Sequence, residues 1–207
     1  VAAEIAHEML GNKKNRSVMV MCGRGNNGGD GYVVARYLLA WGHRVRVCAL
    51  TPIDEVHGDA HVHLDVLLAM QADVRPVLDT TELAAAARRF SHTHLIVDAI
   101  LGTGVKGEVH GIAAEAIQII NSGNVPVLAV DIPSGLDANT GKPLGMAVEA
   151  TRTATCHAPK AGFRQRNAAK YTGEVSVVDI GIPREVVRAV LRPPKANKNA
   201  MRASELR

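Results

Sequence analysis

The chain has 207 residues, of which 47% are hydrophobic and 21% charged, and this composition is sufficient for one compact domain with a full core. Its formal net charge of +4 comes from scattered basic residues and only 3% of the residues are aromatic, so we expect no nucleic-acid partner. No apolar run is long enough to span a membrane and no basic-then-apolar signal opens the chain, so we also expect a soluble protein with no membrane partner.

Apolar runs typical of strands alternate with helical runs along the chain, a pattern that predicts βαβ units. We expect strands over residues 17–22, 43–50, 73–78, 94–98, 126–130, 152–157 and 174–179. We expect helices over residues 1–10, 31–41, 55–70, 81–90, 112–121 and 184–191, with Thr80 or Thr81 as the cap of the fourth. The predicted fold is therefore α/β: a three-layer α/β/α, Rossmann-like arrangement with a mostly parallel central sheet covered on both faces.

Residues 1–191 are expected to form a single domain, and residues 192–207 a polar linker or tail that contains Pro193 and Pro194. The chain starts at Val1, in what resembles the second half of a helix, which suggests a truncated or processed N-terminus.

The most informative segment joins the first predicted strand to the second predicted helix. Between Cys22 and Gly31 it contains five glycines, together with Asn26 and Asn27. Glycine permits positive φ and close backbone approach, and a helix start offers unpaired N–H groups and a dipole that favour an anion. The segment therefore predicts a phosphate-binding turn.

Two common phosphate-binding sequences fit this segment only in part. A P-loop needs Lys and then Ser or Thr after its last glycine, but Gly29 and Asp30 stand there. Residues 23–28 do satisfy G-x-G-x-x-G, yet the second predicted strand is followed by Thr51 and Pro52 and no acid occurs before Asp54. A Walker-type NTPase and an ordinary NAD(P)-dependent dehydrogenase are therefore disfavoured, and the dehydrogenase stays an alternative.

Polar residues also stand where two later strands end. Asp98 ends the strand that precedes residues 102–107, and Asp131 follows the strand over residues 126–130. Because ligands of open α/β sheets bind beyond the carboxyl ends of the strands, we expect both residues and the glycine segment to converge on one crevice. A strand-end Asp can instead order a loop or cap a helix, but three polar strand ends together favour a binding site.

Four segments share a specific order and spacing over roughly residues 17–183. They are Gly25 to Gly31, Val97 to Gly104, Val130 to Asp137, and Ala158 to Gly162 followed by Asp179 to Pro183. In these segments the chain resembles the N-terminal YjeF domain, the NAD(P)H-hydrate epimerase family, whose relatives include the apolipoprotein A-I-binding protein. The match is far more specific than a lone glycine fingerprint.

This resemblance implies an epimerase of nicotinamide nucleotide repair. Its substrate is a hydrated, damaged form of NADH or NADPH (NADHX or NADPHX), which carries a hydroxyl group at C6 of the nicotinamide ring in the R or the S configuration. Because C6 is attached to the ring nitrogen, the nitrogen lone pair assists loss of hydroxide, and water can attack the iminium-like species from either face. The step needs an acid/base group and nearby negative charge, but no redox partner.

The resemblance also implies roles for individual residues. Asp131 is the leading candidate for the acid/base group, and Lys160 is a weaker one that could instead hold substrate or another carboxylate. The family's monovalent cation, K⁺, would be bound by Asn27, Asp98 and Ser134, whose oxygen atoms suit a hard cation. Substrate contacts carry over to Asn26, Asn27, Gly28, Gly29 and Asp30, to Gly102, Thr103, Gly104, Val105, Lys106, Gly107 and Glu108, and to Asp131.

Simpler roles stay open for several of these residues. Lys160 could equally be a surface lysine, and Asp30 could equally cap its helix. Ser134 is not expected to be a nucleophile, because the sequence around it lacks the G-x-S-x-G elbow. The segment from Gly162 to Ala168 departs from the family pattern and leaves the shape of the pocket near Lys160 open.

A group of histidines also has to be considered as a metal site. His57 and His61 share a helix face at i, i+4, and His63 stands near two aspartates. The segment lacks a glutamate base at the zincin spacing and lies outside the family segments, so we expect a solvated helix face.

The cysteines carry no expected chemistry. Cys22, Cys48 and Cys156 lie in apolar or strand-like stretches, and no two have the spacing of metal ligands or of a C-x-x-C motif. We therefore expect buried packing residues and a reducing compartment, the cytoplasm.

The resemblance finally implies partners and an alternative function. Many bacterial relatives carry a dehydratase domain after such a linker, so we expect that an ADP- or ATP-dependent dehydratase domain could be fused here, and a homodimer is also compatible. The apolipoprotein-binding relatives suggest a non-catalytic binding protein as the alternative. Since Asn27, Asp98, Asp131 and Ser134 are all present, catalysis is favoured.

Overall fold

The computed structural model describes residues 1–191, apart from the side chain of Ser91. The strands are β1 (Ser17–Cys22), β2 (Arg44–Ala49), β3 (Asp73–Pro76), β4 (Leu95–Ala99), β5 (Val127–Val130), β6 (Arg152–Cys156) and β7 (Glu174–Val178). The helices are α1 (Ala2–Met9), α2 (Asn26–Ala40), α3 (Gly58–Ala69), α4 (Thr80–Ala87), α5 (Gly111–Ser122), α6 (Ala169–Thr172) and α7 (Arg184–Leu191). Short 3-10 turns occupy Ile53–Glu55, Phe90–His92, Ala161–Arg164 and Arg166–Ala168.

The strands form one sheet in the order β3-β2-β1-β4-β5-β6-β7, and every neighbouring pair is parallel. Val18 of β1 pairs with Val45 of β2 on one side and with Leu95 of β4 on the other. The chain therefore reverses its direction of winding at the β1–β4 junction. Ligands of such sheets bind outside the carboxyl ends of the strands at this switch point.

The residues of β1 face two different layers of helices. Val18, Val20 and Cys22 belong to a core shared with α1, α2 and α3, whereas Met19 and Met21 belong to a core shared with α4 and α5. Successive side chains of a strand point to opposite faces, so a continuous apolar run is what a sheet covered on both sides requires. The predicted three-layer α/β/α fold is confirmed, and the described sheet is entirely parallel.

The predicted strands differ from the observed ones by no more than two residues at either end, but three helices differ more. Helix α2 begins at Asn26 rather than at Gly31, because the glycine segment itself is helical. Helix α3 begins at Gly58, since residues 53–55 form a separate 3-10 turn. Helix α4 ends at Ala87, and a second 3-10 turn follows it.

The cap of α4 also differs from the prediction. Asp79, not Thr80 or Thr81, precedes the helix, and its Oδ1 accepts a hydrogen bond from the backbone N of Glu82 at 2.8 Å. The Glu82 carboxylate in turn accepts from the backbone N of Leu78 at 2.7 Å. Both threonines lie inside the helix, where their hydroxyl groups cannot cap its first turn.

The predicted linker or tail over residues 192–207 lies outside the described residues. Within residues 1–191, none of the helices combines the length and the apolar character that crossing a bilayer requires.

Candidate active site at the carboxyl edge of the sheet

The glycine segment leads from the carboxyl end of β1 into the first two turns of α2, which begins at Asn26. Gly25 is the N-cap, and the backbone N of Gly29 donates to its carbonyl oxygen at 3.1 Å. The N–H groups of Asn26, Asn27 and Gly28 therefore have no acceptor inside the helix. Open N–H groups and the helix dipole make this end of α2 suitable for an anion such as a phosphate.

The glycines of this segment are needed for close packing. None of the glycines from Gly23 to Gly31 has a positive φ, so the expected left-handed backbone is not found. A Cβ atom on Gly28 would lie only 1.9 Å from the carbonyl oxygen of Gly23, and one on Gly29 would lie 2.9 Å from Cα of Ala60. Close backbone approach is thus the property of glycine that matters here, because it lets α2 lie directly against the end of β1 and against α3.

Asp98 is fully buried in β4 and is held by the loop after β5. Ser134 donates from its backbone N to Oδ2 at 2.8 Å and from its Oγ to Oδ1 at 2.5 Å, and the backbone N of Ile100 donates to Oδ1 at 3.3 Å. Burial raises the pKa of Asp98 to about 6, although the hydrogen bonds from Ser134 and Ile100 lower it. Among residues 1–191 the Asp98 carboxylate has hydrogen-bond donors but no salt-bridge partner.

The backbone of Leu101 connects Asn27 to Ser134. The amide Nδ2 of Asn27 donates to the carbonyl oxygen of Leu101 at 3.0 Å, and the backbone N of Leu101 donates to Oγ of Ser134 at 2.8 Å. A Cβ atom on Gly102 would lie 3.3 Å from Cβ of Asn27, so the segment after β4 packs on the start of α2. The structure therefore brings Asn27, Asp98 and Ser134, which come from three separate segments, to one place.

The chemistry of these three side chains suits a monovalent cation. Asp98, Ser134 and Asn27 all offer oxygen atoms, and the Asn27 amide uses its nitrogen for Leu101, which leaves its oxygen available. The buried Asp98 carboxylate supplies one formal negative charge, which balances K⁺ but would hold Mg²⁺ weakly without further carboxylates or phosphates. The residues present thus fit the expected cation.

Asp131 and Lys160 form an ion pair beside this cluster. Nζ of Lys160 and the backbone N of Cys156, the latter at 2.9 Å, both donate to Oδ1 of Asp131. No nitrogen of the described residues donates to Oδ2, and the Cys156 thiol also interacts with this carboxylate. The side chains of Lys160 and Asp131 are only 16% and 18% exposed, so Lys160 is the partner of a carboxylate rather than a free surface lysine.

The turn that carries Asp131 has an unusual backbone. Asp131 has a φ of 65°, a left-handed conformation that Asp adopts more readily than most other residues and that is concentrated at functional sites. Its N–H group donates to the carbonyl oxygen of Ala154 on β6 at 2.8 Å. The turn after β5 is therefore fixed to the strand that leads to Lys160.

Asp30 and the segment after β4 form the exposed edge of the site. Asp30 lies in the second turn of α2, so the alternative that it caps this helix is wrong. Partial loss of water raises the pKa of its carboxyl group, the negative charge of Asp131 raises it further, and His63 of α3 opposes both effects. The exposed members of the other segment are Thr103, Gly104, Lys106, Gly107 and Glu108, while Gly102 and Val105 are half-buried.

Two of the alternative sites do not form. Ser134 is fully buried with its hydroxyl bonded to Asp98, which leaves it inaccessible as a nucleophile. No group of three or more His, Cys, Asp or Glu side chains in the described part of the chain is arranged to hold a metal. His61 is exposed and pairs with Asp65 at 3.4 Å, as expected of a solvated face, whereas His63 is half-buried.

Cys156 is a residue of this site that the sequence did not single out. Cys22 and Cys48 are buried as expected, but Cys156 is only half-buried at the end of β6. Burial raises the pKa of the Cys156 thiol to about 11, with further contributions from Asp131 and Asp30 and an opposing one from Lys160. Its place at a predicted strand end, four residues before Lys160, was its only signal in the sequence.

The segment that departs from the family pattern is ordered against a neighbouring turn. The backbone N of Gly162 donates to the carbonyl oxygen of Ala138 at 2.7 Å, and a Cβ atom on Gly162 would lie 2.4 Å from the backbone N of Gly141. A cleft of about 440 Å³ lies farther along the same edge, between the ends of β6 and β7 and α7, lined by His157, Asp179 and Arg184 among others. None of its lining residues belongs to the predicted site.

Comparisons with known proteins give the chain a family. The model of the family described as YjeF-related protein N-terminus matches residues 1–162. An NAD(P)H-hydrate epimerase of Rhodopirellula baltica is 36% identical over 90% of this chain and 74% of its own length. A bifunctional NAD(P)H-hydrate repair enzyme Nnr of Moorella thermoacetica is 40% identical over 90% of this chain.

The fold has a counterpart among solved structures. The crystal structure of the yeast protein ynu0, YNL200c, superimposes with a TM-score of 0.75 at 22% identity and covers 95% of this chain and 82% of the yeast chain. At this identity the likeness concerns the fold alone. The chain spans 35% of the length of the Moorella relative and 74% of the length of the Rhodopirellula relative.

Proposed function

The chain belongs to the family of YjeF-related protein N-termini, and we propose that it is an enzyme that interconverts the R and S forms of hydrated NADH and NADPH. Two relatives that carry the name NAD(P)H-hydrate epimerase, from Rhodopirellula baltica and Pirellula staleyi, support this reaction, with 36% and 38% identity. The reaction moves a hydroxyl group from one face of a ring to the other, and it involves no net hydride transfer.

The half-buried pair of Asp131 and Lys160 is the observation that carries the proposal. A carboxylate that is largely removed from water stabilises a developing cation more strongly than one in bulk solvent. The pair lies at the carboxyl edge of the sheet, as does the open start of α2, so one ligand with a phosphate and a ring can reach both.

In this proposal the dinucleotide phosphates bind at the N–H groups of Asn26, Asn27 and Gly28, and the nicotinamide ring lies near Asp131. Lys160 holds Oδ1 of the carboxylate, which leaves Oδ2 for the substrate. As the hydroxide leaves C6, the carboxylate stabilises the positive charge on the ring, and Asp131 serves as the acid/base group.

K⁺ is the proposed cation of this site, held by Asn27, Asp98 and Ser134. When bound, it supplies a positive charge next to the buried Asp98 carboxylate. Ser134 and Leu101 already connect the loop after β5 to the segment after β4, so these residues keep the two loops in register at the substrate edge. Residues 102–108 then line the exposed side of the substrate.

The wider context of the protein is proposed by analogy. Bifunctional relatives, of which this chain spans 35% and 36%, support a fused ADP- or ATP-dependent dehydratase domain as a partner. Relatives of which it spans 74% and 82% support an epimerase that acts alone. A homodimer and a cytoplasmic location complete the proposal.

The test is an assay with separated R and S epimers of NADHX and NADPHX, followed by chiral chromatography. We expect the protein to equilibrate either epimer faster than buffer alone, without ATP or ADP. Interconversion at the buffer rate would reject the epimerase. If the protein bound the hydrates without interconverting them, the alternative function of a non-catalytic binding protein would be supported instead.

A further inference from the structure

One face of strand β2 carries arginines where the neighbouring strand β1 carries buried methionines. Val45 of β2 belongs to the core beneath α1, α2 and α3, so Arg44 and Arg46 on either side of it point to the opposite face of the sheet. Arg46 pairs in register with Met19 of β1, whose side chain is buried beneath α4 and α5. The helical layer that covers β1 therefore leaves this part of β2 open.

A carboxylate on the edge strand β3 holds two arginines in place. The Arg46 guanidinium donates to Oδ2 of Asp73 from Nε at 2.7 Å and from Nη2 at 2.5 Å, and Nε of Arg75 donates to Oδ1 at 2.7 Å. The side chains of Arg46 and Asp73 are only 25% and 32% exposed, which limits screening by solvent. Nη1 of Arg46 and both Nη atoms of Arg75 have no acceptor within residues 1–191. The carboxylate thus fixes two guanidinium groups and leaves several of their N–H groups for a ligand.

Another arginine approaches from the layer of α4. Arg89 follows the C-cap residue of this helix and faces the same clefts as Arg46. Its guanidinium group forms no hydrogen bond or ion pair in the described part of the chain. The nearby Glu82 carboxylate already accepts a hydrogen bond from the backbone N of Leu78 at 2.7 Å. The positive charge of Arg89 is therefore not balanced by a carboxylate contact.

These side chains line two adjoining clefts between β2, β3 and α4, with volumes of about 290 and 570 Å³. Together the clefts form the arginine groove, which is defined by Arg44, Arg46, Arg75 and Arg89. Buried apolar residues also line it, with Met19 in the larger cleft and Val77 and Ala86 in the smaller one. A concave apolar surface with a few fixed polar groups is typical of sites for small molecules.

We propose that the arginine groove is a second binding site, for a small molecule that carries linked phosphate groups on an apolar or ring-shaped body, such as a nucleoside diphosphate. A guanidinium group donates two parallel hydrogen bonds to a phosphate, and a phosphate has enough oxygen atoms to accept from several arginines at once. The apolar lining would hold the body of the ligand. This site goes beyond the proposed epimerase, because none of its lining residues belongs to the predicted active site.

Protection of the sheet edge does not account for the whole groove. Charged side chains on an edge strand discourage pairing with a second chain, and Asp73 and Arg75 on β3 are placed for that role. Arg89 lies in the helical layer and not on a strand, so it contributes nothing to edge protection. Its convergence with Arg46 on one concave surface is what indicates a ligand.

The experiment measures binding of ADP by calorimetry at an ionic strength of about 0.15 M, where weak surface electrostatics is largely screened. The full chain is compared with Arg89→Gln, Arg75→Gln and the control Arg36→Gln. Arg36 lies on α2, which covers the opposite face of the sheet, and its guanidinium group stacks over the Tyr37 ring at 5.3 Å. The control thus removes the same charge outside the groove. Melting curves establish that each variant is folded.

We expect the unaltered chain and Arg36→Gln to bind ADP with equal affinity, and Arg89→Gln and Arg75→Gln each to bind it about tenfold more weakly. Each of these two variants loses charge-assisted hydrogen bonds to the phosphates. Equal affinity in all four proteins would overturn the site, because ADP would then bind elsewhere, for example at the start of α2. An unaltered chain that does not bind ADP would overturn it as well.

A second titration with inorganic pyrophosphate tests the body of the ligand. Pyrophosphate keeps the linked phosphate groups but has nothing to place on the apolar lining. We therefore expect the unaltered chain to bind it more weakly than ADP, and Arg89→Gln to weaken both. Equal affinity for pyrophosphate and ADP would overturn the assignment of a ring-bearing ligand.

Discussion

Asp131 uses one of its two carboxylate oxygens for the protein. Lys160 and the backbone of Cys156 both donate to Oδ1, while Oδ2 accepts from no nitrogen of the described residues. This asymmetry holds the carboxylate in one orientation and leaves one oxygen for a ligand. Asp131 is thus held in place through Oδ1, whereas the oxygen proposed to act on the substrate is Oδ2.

We predict that Asp131→Asn lowers the epimerisation rate by about 100-fold or more, because the change removes the charge and the acid/base group while keeping the shape. Asn also tolerates the left-handed backbone found here, so the fold should survive. Rates with separated epimers and calorimetry with NADH measure the two effects. A variant with an unchanged rate would move the acid/base role to Lys160, and Lys160→Met would be the next protein to assay.

Asp98 presents a different case, because its carboxylate is fully buried. Its pKa in the folded chain is raised to about 6 from an ordinary value of 3.8, chiefly by burial. A raised folded pKa means that the folded state holds the proton more tightly than the unfolded state. Without a cation, the contribution of this group to stability is therefore greatest below the ordinary value and is lost as pH rises through about 6.

A cation that binds the Asp98 carboxylate should reverse this loss. We predict that K⁺ raises the melting temperature of the protein with ligand present at about pH 7.5 and has little effect at about pH 5, where protonation of Asp98 competes with the cation. Asp98→Asn should abolish the gain at both pH values, and Mg²⁺ should not replace K⁺. An equal gain at both pH values would place the cation elsewhere.

At the scale of elements, the start of α2 depends on the absence of side chains. Gly28 and Gly23 touch backbone to backbone, and this contact sets how far the helix start lies from the end of β1. Low helix propensity makes a run of glycines a poor predictor of helix, since each costs about 1 kcal/mol relative to Ala. Tertiary packing overrides that cost, which is why the sequence pattern placed the beginning of α2 too late.

The contact between Gly28 and Gly23 gives a prediction with a matched control. Gly28→Ala should destabilise the fold by about 3 kcal/mol or more, because the new Cβ atom would lie 1.9 Å from a backbone oxygen that cannot move away alone. Gly25→Ala should cost about 1 kcal/mol or less, because Gly25 has nothing within 4 Å of the added atom and a negative φ of −91°. Urea unfolding of both proteins measures the difference. Equal losses of stability in the two variants would show that the backbone around Gly28 can shift to accommodate the added Cβ atom.

For the molecule as a whole, periodic patterns were enough to predict the sheet and its layers. Strands such as β1 are short apolar runs buried on both faces, and others such as β2 and β7 alternate apolar and polar residues, so both kinds can be located from the sequence pattern. Of the predicted residues, Asp98 contacts Ser134, Asn27 is joined to Ser134 through the backbone of Leu101, and Asp131 contacts Lys160. Their roles remain predictions.

The parts that could not be predicted depend on how elements cross. Helix α3 packs directly on the start of α2 because Gly29 lies against Ala60, and no periodicity of α3 alone reveals that crossing. Cys156 likewise approaches Asp131 through the pairing of β6 with β5. Contacts of this kind join residues far apart in the chain, and a single sequence carries no local signal for them.

The parallel sheet has a consequence for how the chain is made. β1 can pair with β2 soon after both have been synthesised, but its other edge waits for β4, and the contact at that junction between Ser17 and His94 spans 77 positions. During that interval a strand that is apolar on both faces has an open edge, the condition under which nascent chains aggregate. Chaperone protection during synthesis should therefore matter most between the emergence of β2 and that of β4.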